Sequence, residues 1–190
     1  RPTQSLRPQS SSKVVQLDLD ALTEAGFVTP KAQRSLTAEQ FRVIKRPLLA
    51  NAMGKGAAPV THGNRIMITS ALAGEGKTFT AINLAVSIAM ELDHTVLLVD
   101  ADVSRPSVMK TLGLPSGRGL MDLLVGNETE MSEVLLRTNI DKLTLLPSGT
   151  PHARATELLA SDAMSTLVEE MGHRYPERII IFDSPPLLMT

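Results

Sequence analysis

The chain has 190 residues, of which 43% are hydrophobic, and a formal net charge of −1 at pH 7. This composition is typical of one globular domain with an extension. The absence of cysteine excludes disulfides and thiolate metal sites, and the 4 histidines lack the spacing of metal ligands. No apolar run reaches the roughly 18 residues that a membrane span needs, and no signal peptide is visible. Because the chain begins with Arg1, we expect it to be a fragment. A membrane anchor upstream of Arg1 therefore stays an open alternative.

Residues 1–35 are predicted to form a flexible basic linker, followed by one folded domain over residues 36–190. The first 50 residues hold 8 Lys and Arg against 4 Asp and Glu. The serine run at 10–12 and the Pro/Gln/Arg-rich start offer little surface to bury. A solvated linker explains this basic arm, and an acidic partner or an anionic membrane surface is the alternative.

A helix is predicted to follow this linker. The stretch Thr37–Gln40 has the form of a capping box, with Thr37 as the N-cap, and Pro47 is expected to kink or restart the helix. Apolar side chains recur at helical spacing on one predicted face: Phe41, Ile44 and Leu48. Residues 51–64 are glycine-rich and indicate a linker into the first core strand.

Residues 65–90 read as a strand, a glycine-containing loop and a helix, the context that a phosphate-binding loop requires. Gly74 and Gly76 allow the backbone to approach a polyphosphate, and the helix N-terminus adds unpaired N–H groups. Lys77 can reach the phosphates and Thr78 can ligate Mg²⁺. The strict loop pattern has glycine where this chain has Ala71. The predicted nucleotide contacts are Gly74, Glu75, Gly76, Lys77, Thr78 and Phe79.

Two further apolar runs end in carboxylates. Residues 95–102 predict a buried strand with Asp100 and Asp102 at its carboxyl end, where open α/β sheets bind ligands. These two acids can serve Mg²⁺ and a general base in one site. Residues 178–183 predict another such strand, in which Asp183 is placed to hold the water shell of Mg²⁺.

The remaining pattern completes an α/β prediction. We expect a strand over residues 142–146 and helices over 120–124, 132–137 and 155–171. The alternation of strands and helices predicts a P-loop NTPase three-layer sandwich with a mainly parallel sheet. It is preceded by the flexible segment and a helix, and we expect its C-terminal part to be missing.

Three motifs in order carry a family resemblance. GEGKT (Gly74–Thr78), VLLVDADVSRP (Val96–Pro106) and IIIFDSPP (Ile179–Pro186) resemble the Walker A, A′ and B motifs of bacterial tyrosine kinases. AEQFRVIKRPLLANA (Ala38–Ala52) and TELLAS (Thr156–Ser161) are similar to the branch associated with exosortase-linked exopolysaccharide clusters.

The resemblance implies an ATP- and Mg²⁺-dependent tyrosine autokinase that regulates exopolysaccharide polymerisation, chain length or export. It implies that Lys77 holds phosphates, that Thr78, Asp100 and Asp183 serve Mg²⁺, and that Asp102 activates the acceptor hydroxyl. It further implies a ring-like homo-oligomer, a membrane-bound co-polymerase or activator partner, no nucleic acid, and a cytoplasmic place at the inner face of the plasma membrane. The residues matched to the family's oligomerisation motif are Glu39, Arg42, Lys45 and Arg46.

This chain departs from the family pattern at several positions. Lys45 replaces an arginine of the oligomerisation motif, which weakens a bidentate contact, and Arg46 is a substitute. Ser104 stands where many relatives have arginine, which leaves Arg105 as the nearer cation. The family's last strands and tyrosine-rich tail are expected beyond Thr190, and Tyr175 is the only tyrosine in the chain.

Two other functions stay open at this point. One is a deviant-Walker ATPase of the partitioning or positioning class, although Leu72 occupies the place of the signature lysine in those ATPases. The other is a non-catalytic module whose assembly depends on a nucleotide. A phosphotyrosine assay separates the kinase from both.

Overall fold

The computed structural model describes residues 12–126, 129–174 and 177–188. Within them, six strands form one sheet in the order β1-β4-β5-β3-β6-β2. Every neighbouring pair is parallel except β4 with β5. The strands are β1 (Lys13–Val15), β2 (Arg65–Ile68), β3 (Thr95–Asp100), β4 (Leu136–Thr138), β5 (Leu143–Leu146) and β6 (Arg178–Asp183). The four strands that the sequence predicts are confirmed, and β1 and β4 are additions to them.

Eight helices are found among the described residues. They are α1 (Leu19–Glu24), α2 (Leu36–Ala52), α3 (Lys77–Ala89), α4 (Val108–Thr111), α5 (Leu120–Val125), α6 (Met131–Val134), α7 (Ala155–Leu159) and α8 (Asp162–Arg174). In the described part of the chain, none of these helices has the length and apolar character that crossing a membrane requires.

The sheet lies between two helical layers, because alternate residues of its central strands face opposite sides. Val96 and Leu98 of β3 pack in one core with α2 and α3. Leu97 and Val99 pack in a second core with α5, α7 and α8. A strand buried on both faces reads as a continuous apolar run, and the predicted three-layer sandwich is confirmed.

The N-terminal segment differs from the prediction of a flexible linker. Strand β1 pairs with β4 at the edge of the sheet, and Leu17, Leu22 and Val28 are buried in the core that contains α3. These apolar side chains supply the burial that the serine-rich start lacks. The linker prediction is therefore wrong for residues 13–35, while residues 1–11 lie outside the described part.

Helix α2 begins earlier than predicted and turns a different face to the core. Its N-cap is Ser35, whose hydroxyl accepts a hydrogen bond from the Ala38 amide, and not Thr37. The helix runs through Pro47 without restarting. Ile44, predicted to be on the apolar face, is exposed. The buried side chains of α2 are Ala38, Phe41, Lys45 and Leu49.

Two other helix predictions need correction. The predicted helix 132–137 ends at Val134, because Leu135 and Leu136 pack into the cores on opposite sides of the sheet. Extended backbone allows such alternation and a helix does not. The predicted helix 155–171 is two helices that are separated near Ser161. The Ser161 hydroxyl donates to the Leu158 carbonyl at the end of α7 and accepts from the Met164 amide at the start of α8.

Candidate nucleotide site

The loop between β2 and α3 has the backbone conformation that the glycine pattern predicts. Gly74 and Gly76 have φ values of 85° and 88°. These values lie in the left-handed region, which is unfavourable for residues that carry a Cβ atom. Gly76 is the N-cap of α3 and provides no side-chain cap, so the first N–H groups of a 13-residue helix are left to a ligand. The Glu75 carboxylate accepts from the Leu72 amide at 2.9 Å and thereby closes the loop on itself.

The carboxyl ends of β3 and β6 bring two predicted site acids together. Asp100 and Asp183 are partners in the parallel register of these strands, and both are fully buried. The Thr78 hydroxyl donates to the Asp183 Oδ2 at 2.6 Å. Because that hydroxyl has one proton, the Ser107 hydroxyl, 2.7 Å away, is the donor to Thr78.

Asp102 joins the site from the loop that follows β3. Its Oδ2 lies 2.9 Å from the Nζ of Lys77, and its Oδ1 accepts from the Arg105 amide at 3.0 Å. Lys77 and Asp102 are both largely buried. The predicted phosphate-binding lysine and the predicted base are therefore ion-paired with each other.

Burial shapes the titration of these acids. Burial raises the pKa of Asp100 to about 7, helped by the nearby charges of Asp183 and Asp102 and opposed by the hydrogen bond from the Val108 amide. Burial also raises the pKa of Asp183, although the Thr78 hydroxyl and the Lys77 charge act against it. Three carboxyl groups and one ammonium make a site that favours an added cation.

The unpaired atoms of the site fit Mg²⁺. The Oδ1 atoms of Asp100 and Asp183 are buried and have no hydrogen-bond partner among the described residues, an arrangement that costs free energy unless a ligand pairs them. In the described part of the chain no group of three or more His, Asp or Glu forms a protein-only metal cage. Mg²⁺ at nucleotide sites uses one or two carboxylates with waters and phosphates, so these acids suit that ion.

A cavity of about 510 Å³ is lined by Lys77, Thr78 and Asp102, whereas Asp100 and Asp183 are not among its lining residues. The lining residues with no role predicted from the sequence include Ser107, Pro185 and Pro186. Their signal is position, since Pro185 and Pro186 closely follow the carboxyl end of β6 and Ser107 lies between β3 and α4. Glu75, predicted to contact nucleotide, is not among the lining residues. The lining residues are Ala73, Gly74, Gly76, Lys77, Thr78, Phe79, Asp102, Ser104, Arg105, Ser107, Pro185 and Pro186.

The four residues matched to an oligomerisation motif separate into two groups. Glu39, Arg42 and Arg46 are exposed on α2. Lys45 is only 5% exposed, and its Nζ donates to the Ser87 carbonyl at 2.6 Å and pairs with Glu91 at 2.5 Å. Tyr175 lies outside the described residues.

Comparison with known proteins finds several tyrosine kinases. A family model described as "AAA domain" matches residues 63–190. The chain is 35% identical over 184 residues to the tyrosine-protein kinase YwqD of Bacillus subtilis (strain 168), covering 97% of this chain and 70% of that protein. It is 29% identical over 154 residues to the putative tyrosine-protein kinase CapB of Staphylococcus aureus, covering 81% of this chain and 63% of that protein.

A solved structure supports the same relation. The BceF tyrosine kinase domain superposes with a TM-score of 0.70 at 26% identity, covering 93% of this chain and 71% of that domain. The chain thus spans 63% of the length of CapB and 70% of the length of YwqD.

Proposed function

Since this chain belongs to the family of bacterial tyrosine kinases, we propose that it binds ATP with Mg²⁺ and transfers the γ-phosphoryl group to a tyrosine hydroxyl. The observation that carries this proposal is the convergence of Lys77, Thr78 and Asp102 on one cavity beside the loop, with Asp183 bound to the Thr78 hydroxyl. Phosphoryl transfer needs little covalent help from a protein, so positioning and charge do most of the catalysis.

The loop and helix α3 bind the polyphosphate. The glycine-containing backbone at 74–76 and the first turn of α3 direct N–H groups at the phosphate oxygens. Thr78, Asp100 and Asp183 would hold Mg²⁺, which supplies neutralisation of the charge on the β- and γ-phosphates when bound.

Lys77 and Asp102 change partners when nucleotide binds. The phosphate oxygens replace Asp102 as the partner of the Lys77 ammonium. The Asp102 carboxylate is thereby released from its 2.9 Å ion pair. Asp102 then accepts the proton of the tyrosine hydroxyl as that oxygen forms a bond to the γ-phosphorus and the bond to the β-phosphate oxygen breaks. Arg105 lines the same cavity and is the second cation available to the transferred group.

The wider role follows the resemblance of the motifs and of residues 38–52. We propose a tyrosine autokinase that regulates exopolysaccharide polymerisation, chain length or export as a ring-like homo-oligomer, with phosphorylation between subunits. A membrane-bound co-polymerase partner would hold it at the cytoplasmic face of the plasma membrane. The exposed residues Glu39, Arg42 and Arg46 support the assembly, whereas the burial of Lys45 removes it from that surface.

Label transfer to a tyrosine polymer tests the activity. The chain is incubated with Mg²⁺, ATP labelled in the γ-phosphate and a random Glu–Tyr copolymer, with a Glu–Phe copolymer as control. We expect label on the tyrosine polymer alone. Release of labelled phosphate without transfer would favour the ATPase, and nucleotide binding with neither reaction would favour the assembly module.

A further inference from the structure

We propose that Phe27 is a positioning residue that holds Phe79 as the aromatic wall of the nucleotide cavity and thereby sets affinity for the base. The inference rests on the proposed function, because it assigns the base of the bound ATP to a wall of that site. Phe27 lies in the segment predicted to be a linker, 52 positions before Phe79 in the sequence.

The two rings are in direct contact. Their centroids lie 4.9 Å apart with the ring planes at 49°, within the range of favourable aromatic pairs. Phe27 is 9% exposed, while Phe79 is 39% exposed and lines the cavity. Phe27 thus packs against one side of the Phe79 ring, and the exposed part of the Phe79 side chain is available to a ligand.

The backbone beside Phe27 is tied to helix α3 independently of the rings. The Val28 amide donates to the Asn83 Oδ1 at 2.6 Å, and the Asn83 Nδ2 donates to the Phe79 carbonyl at 2.8 Å. Asn83 is fully buried, so breaking either bond leaves a buried polar group unpaired. Segment and helix therefore keep the Phe27 ring in register with Phe79.

Hydrogen bonds within the segment hold the backbone around Phe27. Gly26 ends α1 with a φ of 83°, and the Phe27 amide donates to the Leu22 carbonyl at 2.9 Å, as in a Schellman-type helix end. The buried Thr29 hydroxyl bonds that of Thr23 at 2.7 Å. These bonds hold residues 26–29 in the conformation that places the Phe27 ring against Phe79.

Chemistry assigns the ligand group that this wall receives. Among the described residues, Phe79 is the one aromatic side chain lining the cavity. The charged part of the ligand binds elsewhere in the cavity, since the phosphates are assigned to the glycine-containing loop and Lys77. A purine is the aromatic part of ATP, and stacking or edge contact with a fixed phenyl ring suits it.

The test separates base from phosphate binding by calorimetry with two probes, Mg²⁺–ATP and Mg²⁺–tripolyphosphate. We expect Phe27→Leu, which keeps an apolar side chain and removes the ring, to weaken ATP binding on the order of 3- to 10-fold, the scale of an aromatic pair. Tripolyphosphate affinity should stay within about 2-fold, because the loop is untouched. Leu17→Ala, a buried change ten positions before Phe27 in the same segment, is the control and should leave the ratio of the two affinities unchanged.

A double-variant cycle shows whether Phe27 acts through Phe79. In the Phe79→Leu background, Phe27→Leu should have no further effect on ATP affinity. Equal weakening of both probes, or full additivity in the cycle, would overturn the inference by reducing Phe27 to general packing. If the unmodified chain bound tripolyphosphate and ATP equally, the base would have no wall and the inference would fail with the phosphate site intact. If it bound neither, the proposed function would fail.

Discussion

At the scale of single residues, the site differs from a solvated cluster of charges because each ionisable group is buried beside another. Asp100 and Asp183 each leave one oxygen unpaired, while both oxygens of Asp102 are occupied, one by Lys77 and one by the Arg105 amide. The three acids are therefore chemically distinct before any ligand binds. That distinction is the basis for assigning two of them to the metal and one to proton transfer.

Lys77→Met tests the phosphate contact. It keeps the apolar length of the side chain and removes the charge, so we expect Mg²⁺–ATP affinity to fall roughly 10- to 100-fold, the worth of a charge-assisted hydrogen bond. Calorimetry measures it, and Lys110→Met, the same change at an exposed lysine of α4, is the control. Equal ATP affinity in Lys77→Met and unmodified chains would refute the assignment.

The raised pKa of Asp100 predicts how the free energy of unfolding depends on pH in the absence of Mg²⁺. Its pKa is raised by burial from 3.8 to about 7, so the folded state holds a proton that the unfolded state has lost between about pH 4 and 7. This contribution to stability is fully present below the unfolded pKa and is lost as pH rises through the folded pKa.

Asp100→Asn stays neutral at every pH, and comparison with it isolates this contribution. We expect the thermal midpoint of the variant to exceed that of the unmodified chain by a margin that widens from pH 5 to pH 8. Scanning calorimetry with a chelator present measures the margin. A margin that is constant across this range would show that Asp100 does not carry the shift.

At the scale of elements, α2 has two faces with separate tasks. One face packs on α3, where Lys45 donates to the Ser87 carbonyl near the end of that helix. The other presents Glu39, Arg42 and Arg46 to solvent. The sequence motif runs across both faces, so variants can separate internal packing from assembly.

Lys45→Met tests the inner face. It leaves the Ser87 carbonyl, in a fully buried stretch of α3, without its donor, and we expect a loss of about 1–3 kcal/mol in the free energy of unfolding. The pair with the half-exposed Glu91 adds little. Denaturant titration measures this loss, with Lys55→Met at an exposed position as control. An unchanged denaturation midpoint would contradict the buried contact.

The outer face is tested by replacing Glu39, Arg42 and Arg46 with alanine together. These side chains are exposed, so we expect stability to change little while the proposed oligomer loses contacts. Light scattering should then report smaller particles than for the unmodified chain. Particles of unchanged size would return these residues to an ordinary solvated helix face.

At the scale of the whole molecule, sequence patterns predicted the parts of the fold that are buried on both sides. β3 and β6 are continuous apolar runs ending in aspartate, and their carboxyl ends meet beside the first turn of α3. β1 and β4 escaped prediction because each is three residues long, too short for a period to show. The burial of Lys45 and the Phe27 contact depend on tertiary packing, which no local pattern carries.

The separation of ATP binding from phosphoryl transfer tests the central claim most directly. Asp102→Asn removes the proposed base and frees Lys77 from its ion pair. Mg²⁺–ATP affinity should therefore stay equal or rise, while the rate of label transfer to the tyrosine copolymer should fall by about 10²-fold or more. Binding by calorimetry and transfer by label counting are measured on the same preparation. Transfer at the unmodified rate, or loss of ATP binding together with transfer, would contradict the claim that Asp102 acts as the base of a tyrosine kinase.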